Sequence, residues 1–188
     1  MTAYMALPSV LHRFDLSLAQ VDRGVDRAIQ ISLARHPSET VERLWLRVLA
    51  YCWQWQEGIA FGPGLCEPEA PDVLAPGPHG LSLVVRVGAP GADRVERDVR
   101  QNAGARVAVL FESPRRLRAF ADELVEGRFA RARRAEVAAV EPAVLGALAG
   151  LEARRFAGSV TFVEDHVYLD VGGQTVDGPL HRIGTTGD

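Results

Sequence analysis

The chain has 188 residues, of which 47% are hydrophobic and 24% are charged, and its formal net charge at pH 7 is −3. This composition is typical of a soluble globular protein and shows no overall basicity that would favour nucleic acid. All 21 basic residues counted as lysine or arginine are arginine, which excludes every mechanism that needs a lysine.

The organisation expected from these values is a single domain over residues 1–188, with a core at about 10–171 and a loose tail at 172–188. No stretch approaches the roughly 20 apolar residues of a membrane span, and the amino terminus lacks a signal-peptide pattern. We therefore expect a cytoplasmic protein with no membrane partner.

The first predicted elements form a hairpin. Residues 9–21 and 25–34 alternate apolar and polar side chains, and the turn sequence Asp22-Arg23-Gly24 separates them. An antiparallel pair of strands is therefore predicted near the amino terminus.

The segment 36–56 carries the most regular apolar pattern of the chain. Its stripe at helical spacing predicts an amphipathic helix and consists of Val41, Leu44, Trp45, Val48, Leu49 and Cys52. Ser38 is the predicted amino-terminal cap, which places Glu39 and Glu42 on one face of the first turn. These glutamates either only stabilise the helix dipole or face a polar pocket built further along the chain.

A loop rich in glycine and proline follows over about 57–80, and its segment Pro71–Ala75 is suited to a short extended piece. Residues 81–87 form the strongest strand prediction in this half of the chain. Arg86 interrupts that apolar run, so it either lies at a strand end or faces an acidic group.

The remaining elements alternate between helix and strand. Helices are predicted at 91–101, 113–125 and 142–151, strands at 105–111 and 135–140, and a terminal hairpin around Glu164-Asp165. The predicted fold class is therefore α/β (α+β), with a central mixed β-sheet flanked by helices and β-hairpins near both termini.

Four sequence blocks resemble the YaeQ family of bacterial proteins in order and spacing. They read SLARHPSETVERLWLRVLAY, FGPGL, EPEAPDVL and VVRVGAPGADRVER, and the resemblance covers roughly residues 28–112. It implies a restriction-endonuclease-like fold of the PD-(D/E)XK superfamily. In that superfamily two or three carboxylates on a mixed sheet bind a divalent metal, and a lysine positions the attacking water. The cellular role of the YaeQ family is poorly defined.

The resemblance also assigns candidate catalytic residues. Asp72 matches the acid of the family's Pro-Asp motif, and Glu42 or Glu39 matches its helix acid. Arg86 stands where the family has a second acid, and Arg97 or a neighbour matches a basic position on the next helix.

The arginine at position 86 changes the chemistry that this site can support. Exchanging a carboxylate for a guanidinium shifts the local charge by two units, each worth about 4 kcal/mol at a few ångströms and an effective dielectric constant of about 20. We therefore predict a degenerate, metal-free site without a cofactor, in which Arg86 pairs with Asp72 or Glu42 and the protein has a binding role.

The alternative is an active phosphodiesterase that binds Mg²⁺ through Asp72 and Glu42. It would recruit a displaced acid, Glu67 or Glu69, from the flexible loop.

A third hypothesis concerns arginines in the second half of the chain. Their clustering is compatible with a nucleic-acid-binding surface, whereas the interleaved acids favour a solvated face. The candidate nucleic-acid contacts are Arg115, Arg116, Arg131, Arg133 and Arg134. The partner would thus be a protein or a nucleic acid.

Overall fold

Residues 9–183 are described by a computed structural model, in which ten strands form one mixed sheet and four helices pack against its two faces. The strands are β1 (Val10–Gln20), β2 (Val25–Arg35), β3 (Ala60–Phe61), β4 (Val73–Gly77), β5 (Gly80–Gly88), β6 (Arg106–Phe111), β7 (Glu136–Val140), β8 (Arg155–Val163), β9 (His166–Val171) and β10 (Gln174–Arg182). The helices are α1 (Val41–Trp53), α2 (Ala92–Gln101), α3 (Pro114–Glu126) and α4 (Pro142–Ala149).

The order of strands in the sheet is β2-β1-β8-β9-β10-β7-β6-β5-β4-β3. Strands β5, β6 and β7 are parallel to one another, as are β1 and β8, and the other neighbouring pairs are antiparallel. The predicted mixed sheet, its flanking helices and both hairpins are confirmed.

The main core surrounds α1, which packs between the two halves of the sheet. Trp45 is fully buried, and its ring lies 5.1 Å from that of Phe14 on β1 and 4.9 Å from that of Phe156 on β8. Leu83 and Val85 of β5 belong to the same core. The predicted apolar stripe of α1 is confirmed, and the enclosure of this helix explains why Arg47, on its other face, is also buried.

A second core lies on the other face of the sheet, where α2 and α3 pack. It includes Val84 of β5, Val95 of α2, Phe111 of β6 and Phe120 of α3. The two faces of β5 therefore contact different helices, and this difference decides which partners its side chains meet.

The prediction of a loose tail from residue 172 is wrong for most of that segment. Strand β10 pairs with β9 on one side and β7 on the other, and so joins the two halves of the sheet. Gly172 and Gly173 both have positive φ, as a two-residue hairpin turn requires, and Leu180 is 1% exposed. The rest of the predicted tail, 184–188, and the first eight residues lie outside the described part of the chain.

None of the helices between residues 9 and 183 has the length and apolar character that a membrane span needs.

Candidate functional site

The candidate site lies at the carboxyl end of β5, beside the first turn of α1. The helix begins two residues later than the sequence suggests, because Thr40 rather than Ser38 is its cap: Thr40 Oγ1 accepts a hydrogen bond from the Arg43 backbone N–H at 3.1 Å. Glu39 therefore precedes the helix and is 2% exposed, whereas Glu42 in the first turn is exposed to solvent. The prediction that the two glutamates share one face is wrong, and Glu39 is the acid that enters the site.

Two arginines of α1 engage the Glu39 carboxylate. Arg47 is 2% exposed, and its Nη1 donates to Glu39 Oε1 at 3.3 Å while its Nη2 donates to the Gly62 carbonyl at 3.0 Å. Arg43 Nε lies 3.7 Å from the same carboxylate oxygen. Glu39 is thus held in a buried ion-pair network rather than presented to an open pocket.

Asp72, the acid of the Pro-Asp motif, immediately precedes β4 and is 6% exposed. Its Oδ1 accepts a hydrogen bond from Arg43 Nη2 at 2.5 Å, and its Oδ2 accepts one from the Val87 backbone N–H at 2.9 Å. The loop that passes Asp72 requires glycine at position 62, where an added Cβ would lie 1.8 Å from the Pro71 carbonyl oxygen. Both carboxylate oxygens of Asp72 therefore already have donors from the protein.

Arg86 does not pair with Asp72 or Glu42, so that predicted pairing is wrong. Its Nε donates to Asp98 Oδ2 at 2.7 Å and its Nη2 to Asp98 Oδ1 at 2.9 Å, a bidentate pair with a residue of α2. Both residues are buried, at 5% and 3% exposure. The sequence allowed Arg86 either to lie at a strand end or to face an acidic group, and the structure supports the second of these.

Arg86 uses all five of its N–H donors. Besides the pair with Asp98, Nη2 donates to the Glu69 carbonyl at 2.8 Å and Nη1 donates to the carbonyls of Ala70 and Pro68. Arg86 therefore fixes the loop before Asp72 to α2, and it has no donor left for a ligand.

The alternation of side chains along β5 explains the partner of Arg86. Val85 and Val87 point into the core around α1, whereas Val84 points towards α2 and α3. Arg86, two residues after Val84, lies on that second face. A residue at position 86 consequently meets α2, and the cation that reaches Asp72 comes from α1.

Arg97, the predicted basic helix residue, lies on the surface of α2. Its side chain is 39% exposed and contacts Glu69 at 3.4 Å and Asp93 at 3.5 Å. Its neighbour Arg94 is closer to the site, because it pairs with Glu69 and its Nε lies 3.6 Å from Asp98 Oδ1. The hydrogen bond from Arg94 holds the pKa of the Glu69 carboxyl below its ordinary value. Glu67, the other predicted replacement acid, is exposed.

These contacts define what we call the α1–β5 cluster, in which four guanidinium groups face four carboxylates. Its members are Arg43, Arg47, Arg86, Arg94, Glu39, Glu69, Asp72 and Asp98. A cavity of about 290 Å³ borders the cluster, and its charged lining residues are Arg43, Asp72, Arg86 and Arg94. The formal charge of the whole cluster is zero.

The donor set of the cluster does not fit a divalent metal. Within residues 9–183, no group of three or more histidine, cysteine, aspartate or glutamate side chains is arranged to hold such an ion. Two acids of the cluster, Glu39 and Asp72, share Arg43 as a partner. Magnesium sites instead present carboxylate oxygens to the ion without a competing cation.

The arginines predicted to contact nucleic acid fall into two separate groups. Arg115 and Arg116 lie in the first turn of α3, whereas Arg131, Arg133 and Arg134 follow its end. Helix α3, which has 13 residues and is about 20 Å long, separates the two groups along the chain. Their contact with nucleic acid stays a prediction.

Comparisons with known proteins identify relatives over most of the chain. The family model described as "YaeQ protein" matches residues 5–179. The uncharacterized protein YaeQ of Escherichia coli (strain K12) is 34% identical over 100 residues, which are 53% of this chain and 55% of that protein. The Salmonella typhi protein of the same name is 33% identical over 98 residues, 52% of this chain and 54% of that one. The aligned segment thus spans about half the length of these curated relatives.

Two crystal structures have the same fold as this chain. The YaeQ protein from Pseudomonas syringae superposes with a TM-score of 0.82 at 29% identity, covering 96% of this chain and 97% of that one. The YaeQ protein from Xanthomonas axonopodis pv. citri also gives 0.82, at 23% identity, with 93% and 98% covered, and this match shows the fold alone. Since the family model covers nearly the whole sequence, the chain belongs to the YaeQ family.

Proposed function

We propose that this chain is a YaeQ-family protein on a PD-(D/E)XK-type scaffold whose nuclease-type site is degenerate, and that it acts by binding a partner rather than by metal-dependent hydrolysis. The observation that carries the proposal is the contact between Arg43 and Asp72, at 2.5 Å. A guanidinium thus stands against the carboxylate that would anchor the metal.

The charge of the site supports this proposal. Phosphodiester cleavage on this type of scaffold needs a surplus of negative charge, so that Mg²⁺ is attracted and can activate water. The α1–β5 cluster has no such surplus, because each of its carboxylates has an arginine partner. The chain also lacks the lysine that positions the nucleophile in the superfamily.

The alternative, an active Mg²⁺-dependent nuclease, would need the acids to be rearranged. Glu42 is exposed on the helix surface, and Glu69 is engaged by Arg94. Arg43 would also have to leave Asp72 before a metal could bind there.

Calorimetric titration of the protein with Mg²⁺ and Mn²⁺ tests the proposal. We expect no saturable binding in the micromolar range by the wild type, by Asp72→Asn, which preserves the shape of the side chain, or by Asp93→Asn. Asp93 is a suitable control because its side chain is 69% exposed on the surface of α2. Micromolar binding that is lost in Asp72→Asn and kept in Asp93→Asn would overturn the proposal.

A further inference from the structure

A second polar region lies at the opposite end of the sheet from the α1–β5 cluster. It is built by the amino ends of the parallel strands β6 and β7 and by the last turn of α1, a helix about 20 Å long. Two adjoining cavities of about 380 and 540 Å³ lie here, and Arg106 and Glu136 line both. We call the residues lining these two cavities the arginine groove.

The arginine groove contains more guanidinium groups than carboxylates, whereas the α1–β5 cluster contains equal numbers of the two. Its six guanidinium groups belong to Arg23, Arg100, Arg106, Arg131, Arg134 and Arg182. Arg131 pairs with Glu96, and Arg182 pairs with Glu136 and Asp165. Among the residues from 9 to 183, the other four have no carboxylate within ion-pair distance.

The larger cavity is the more basic of the two. Its lining includes four arginines, and Glu136 is its one carboxylate among the described residues. Glu136 is already engaged, because its Oε2 accepts a hydrogen bond from Gln54 at 3.0 Å and its Oε1 lies 3.6 Å from Arg182. The other acids of the smaller cavity, Asp22, Glu164 and Asp165, do not line the larger one.

Arg23 lines the smaller cavity and lies close enough to Arg106 to be affected by its positive charge. It donates to the backbone carbonyls of Trp53 and Trp55, at 3.1 and 3.4 Å, and to no carboxylate in the described part of the chain. Burial, and next the positive charge of Arg106, lower the pKa of its guanidinium, and the negative charge of Glu136 offsets these effects only in part. An anion bound between Arg23 and Arg106 would relieve this repulsion.

A buried acceptor without a donor belongs to the lining of the smaller cavity. Gln20 lines the smaller cavity and is 2% exposed, and its Nε2 donates to the carbonyls of Cys52 and Trp53. Its Oε1 is buried and has no hydrogen-bond partner. Buried polar atoms of this kind are almost always paired with protein or with an ordered molecule in folded proteins, so a donor from outside the chain, either a water or a ligand, is expected here.

We infer that the arginine groove binds a ligand that carries a phosphate group. Arg100, Arg106 and Arg134 would contact the phosphate oxygens in the larger cavity, and Gln20 Oε1 would accept an N–H or O–H of the same ligand. Guanidinium groups form paired hydrogen bonds with phosphate, and both cavities fall in the size range of small-ligand sites. The phosphate belongs either to a phosphorylated small molecule or to a nucleic acid. This inference does not depend on the metal chemistry of the α1–β5 cluster.

Binding assays with two probes test the inference and separate the two sources of phosphate. Inorganic pyrophosphate is titrated by calorimetry, and a short fluorescein-labelled single-stranded RNA is titrated by fluorescence anisotropy at low and moderate salt. We expect saturable binding of at least one probe. Binding of pyrophosphate indicates a small phosphorylated ligand, and binding of the RNA alone indicates a nucleic acid.

The variant Arg100→Gln/Arg106→Gln/Arg134→Gln removes the guanidinium groups of three exposed residues of the groove. We expect it to weaken binding by roughly tenfold or more, since one charge-assisted hydrogen bond corresponds to about that factor.

The matched control is Arg13→Gln/Arg154→Gln/Arg155→Gln, three exposed arginines at the amino end of β8 and on the neighbouring β1 that change the net charge equally and line neither cavity. It should keep the affinity within about a factor of two, because it lies far from the groove. Equal losses in both triple variants, or no saturable binding of either probe by the wild type, would overturn the inference.

Discussion

Replacing Asp98 with alanine is expected to destabilise the fold, because the substitution leaves the buried guanidinium of Arg86 without its carboxylate. The two residues are 3% and 5% exposed, and they share hydrogen bonds of 2.7 and 2.9 Å. Removing one partner of such a pair costs about 3–5 kcal/mol. We expect the lower end, about 3 kcal/mol, because Arg86 keeps its hydrogen bonds to the carbonyls of residues 68–70.

Urea unfolding followed by circular dichroism measures this loss. For a chain of this length, a loss of about 3 kcal/mol corresponds to a fall in Tm of about 6–12 °C. The control is Asp93→Ala on the exposed face of the same helix, which should change the free energy of unfolding by no more than about 0.5 kcal/mol.

The double variant Arg86→Leu/Asp98→Ala isolates the interaction. Its loss should be smaller than the sum of the two single losses, because the second substitution removes a charge that the first has left unpaired. A loss below about 1 kcal/mol in Asp98→Ala, or additive losses in the double variant, would refute the account of this pair.

Three further predictions follow from other contacts. Thr40→Ala should lower the free energy of unfolding by about 1 kcal/mol and Ser38→Ala by less than about 0.5 kcal/mol, and equal losses would contradict the position of the helix cap. His12 is buried, and desolvation lowers its pKa from the ordinary 6.5. As the pH falls, the unfolded chain therefore binds a proton at His12 before the folded chain does. The free energy of unfolding should keep its full contribution from neutral His12 above pH 6.5 and lose it below that pH, with a flatter pH profile in His12→Gln. A thiol reagent should label Cys66 rapidly in the native protein and Cys52 only after unfolding, because complete burial raises the pKa of the Cys52 thiol to about 12; rapid labelling of both thiols would contradict that burial.

Periodicity was sufficient to predict most of the fold. The helical spacing in 41–52 and the alternation in β1 and β2 reflect contacts with one continuous core, so each pattern could be read locally. Strand β10 was missed because Gly178 and Pro179 resemble a turn, although the strand lies between β9 and β7. Its place in the sheet depends on neighbours that are distant in the sequence.

Sequence reasoning named some members of the α1–β5 cluster but not the contacts between them. Asp72 and Glu39 were among the candidates, but their common partner Arg43 depends on how α1 lies against β4, which no local pattern encodes. The direction of Arg86 could have been predicted, because Val84 and Arg86 share one face of β5 and that face packs against α2. Its partner Asp98 was hidden among the many charged residues of that helix.

The most direct test of the proposed loss of metal chemistry is an anomalous difference map from crystals of the protein soaked in MnCl₂. The proposal predicts that Arg43 remains hydrogen-bonded to Asp72 and that no manganese peak lies within about 2.5 Å of the Asp72 carboxylate. A peak coordinated by Asp72 and Glu39, with Arg43 displaced, would contradict it.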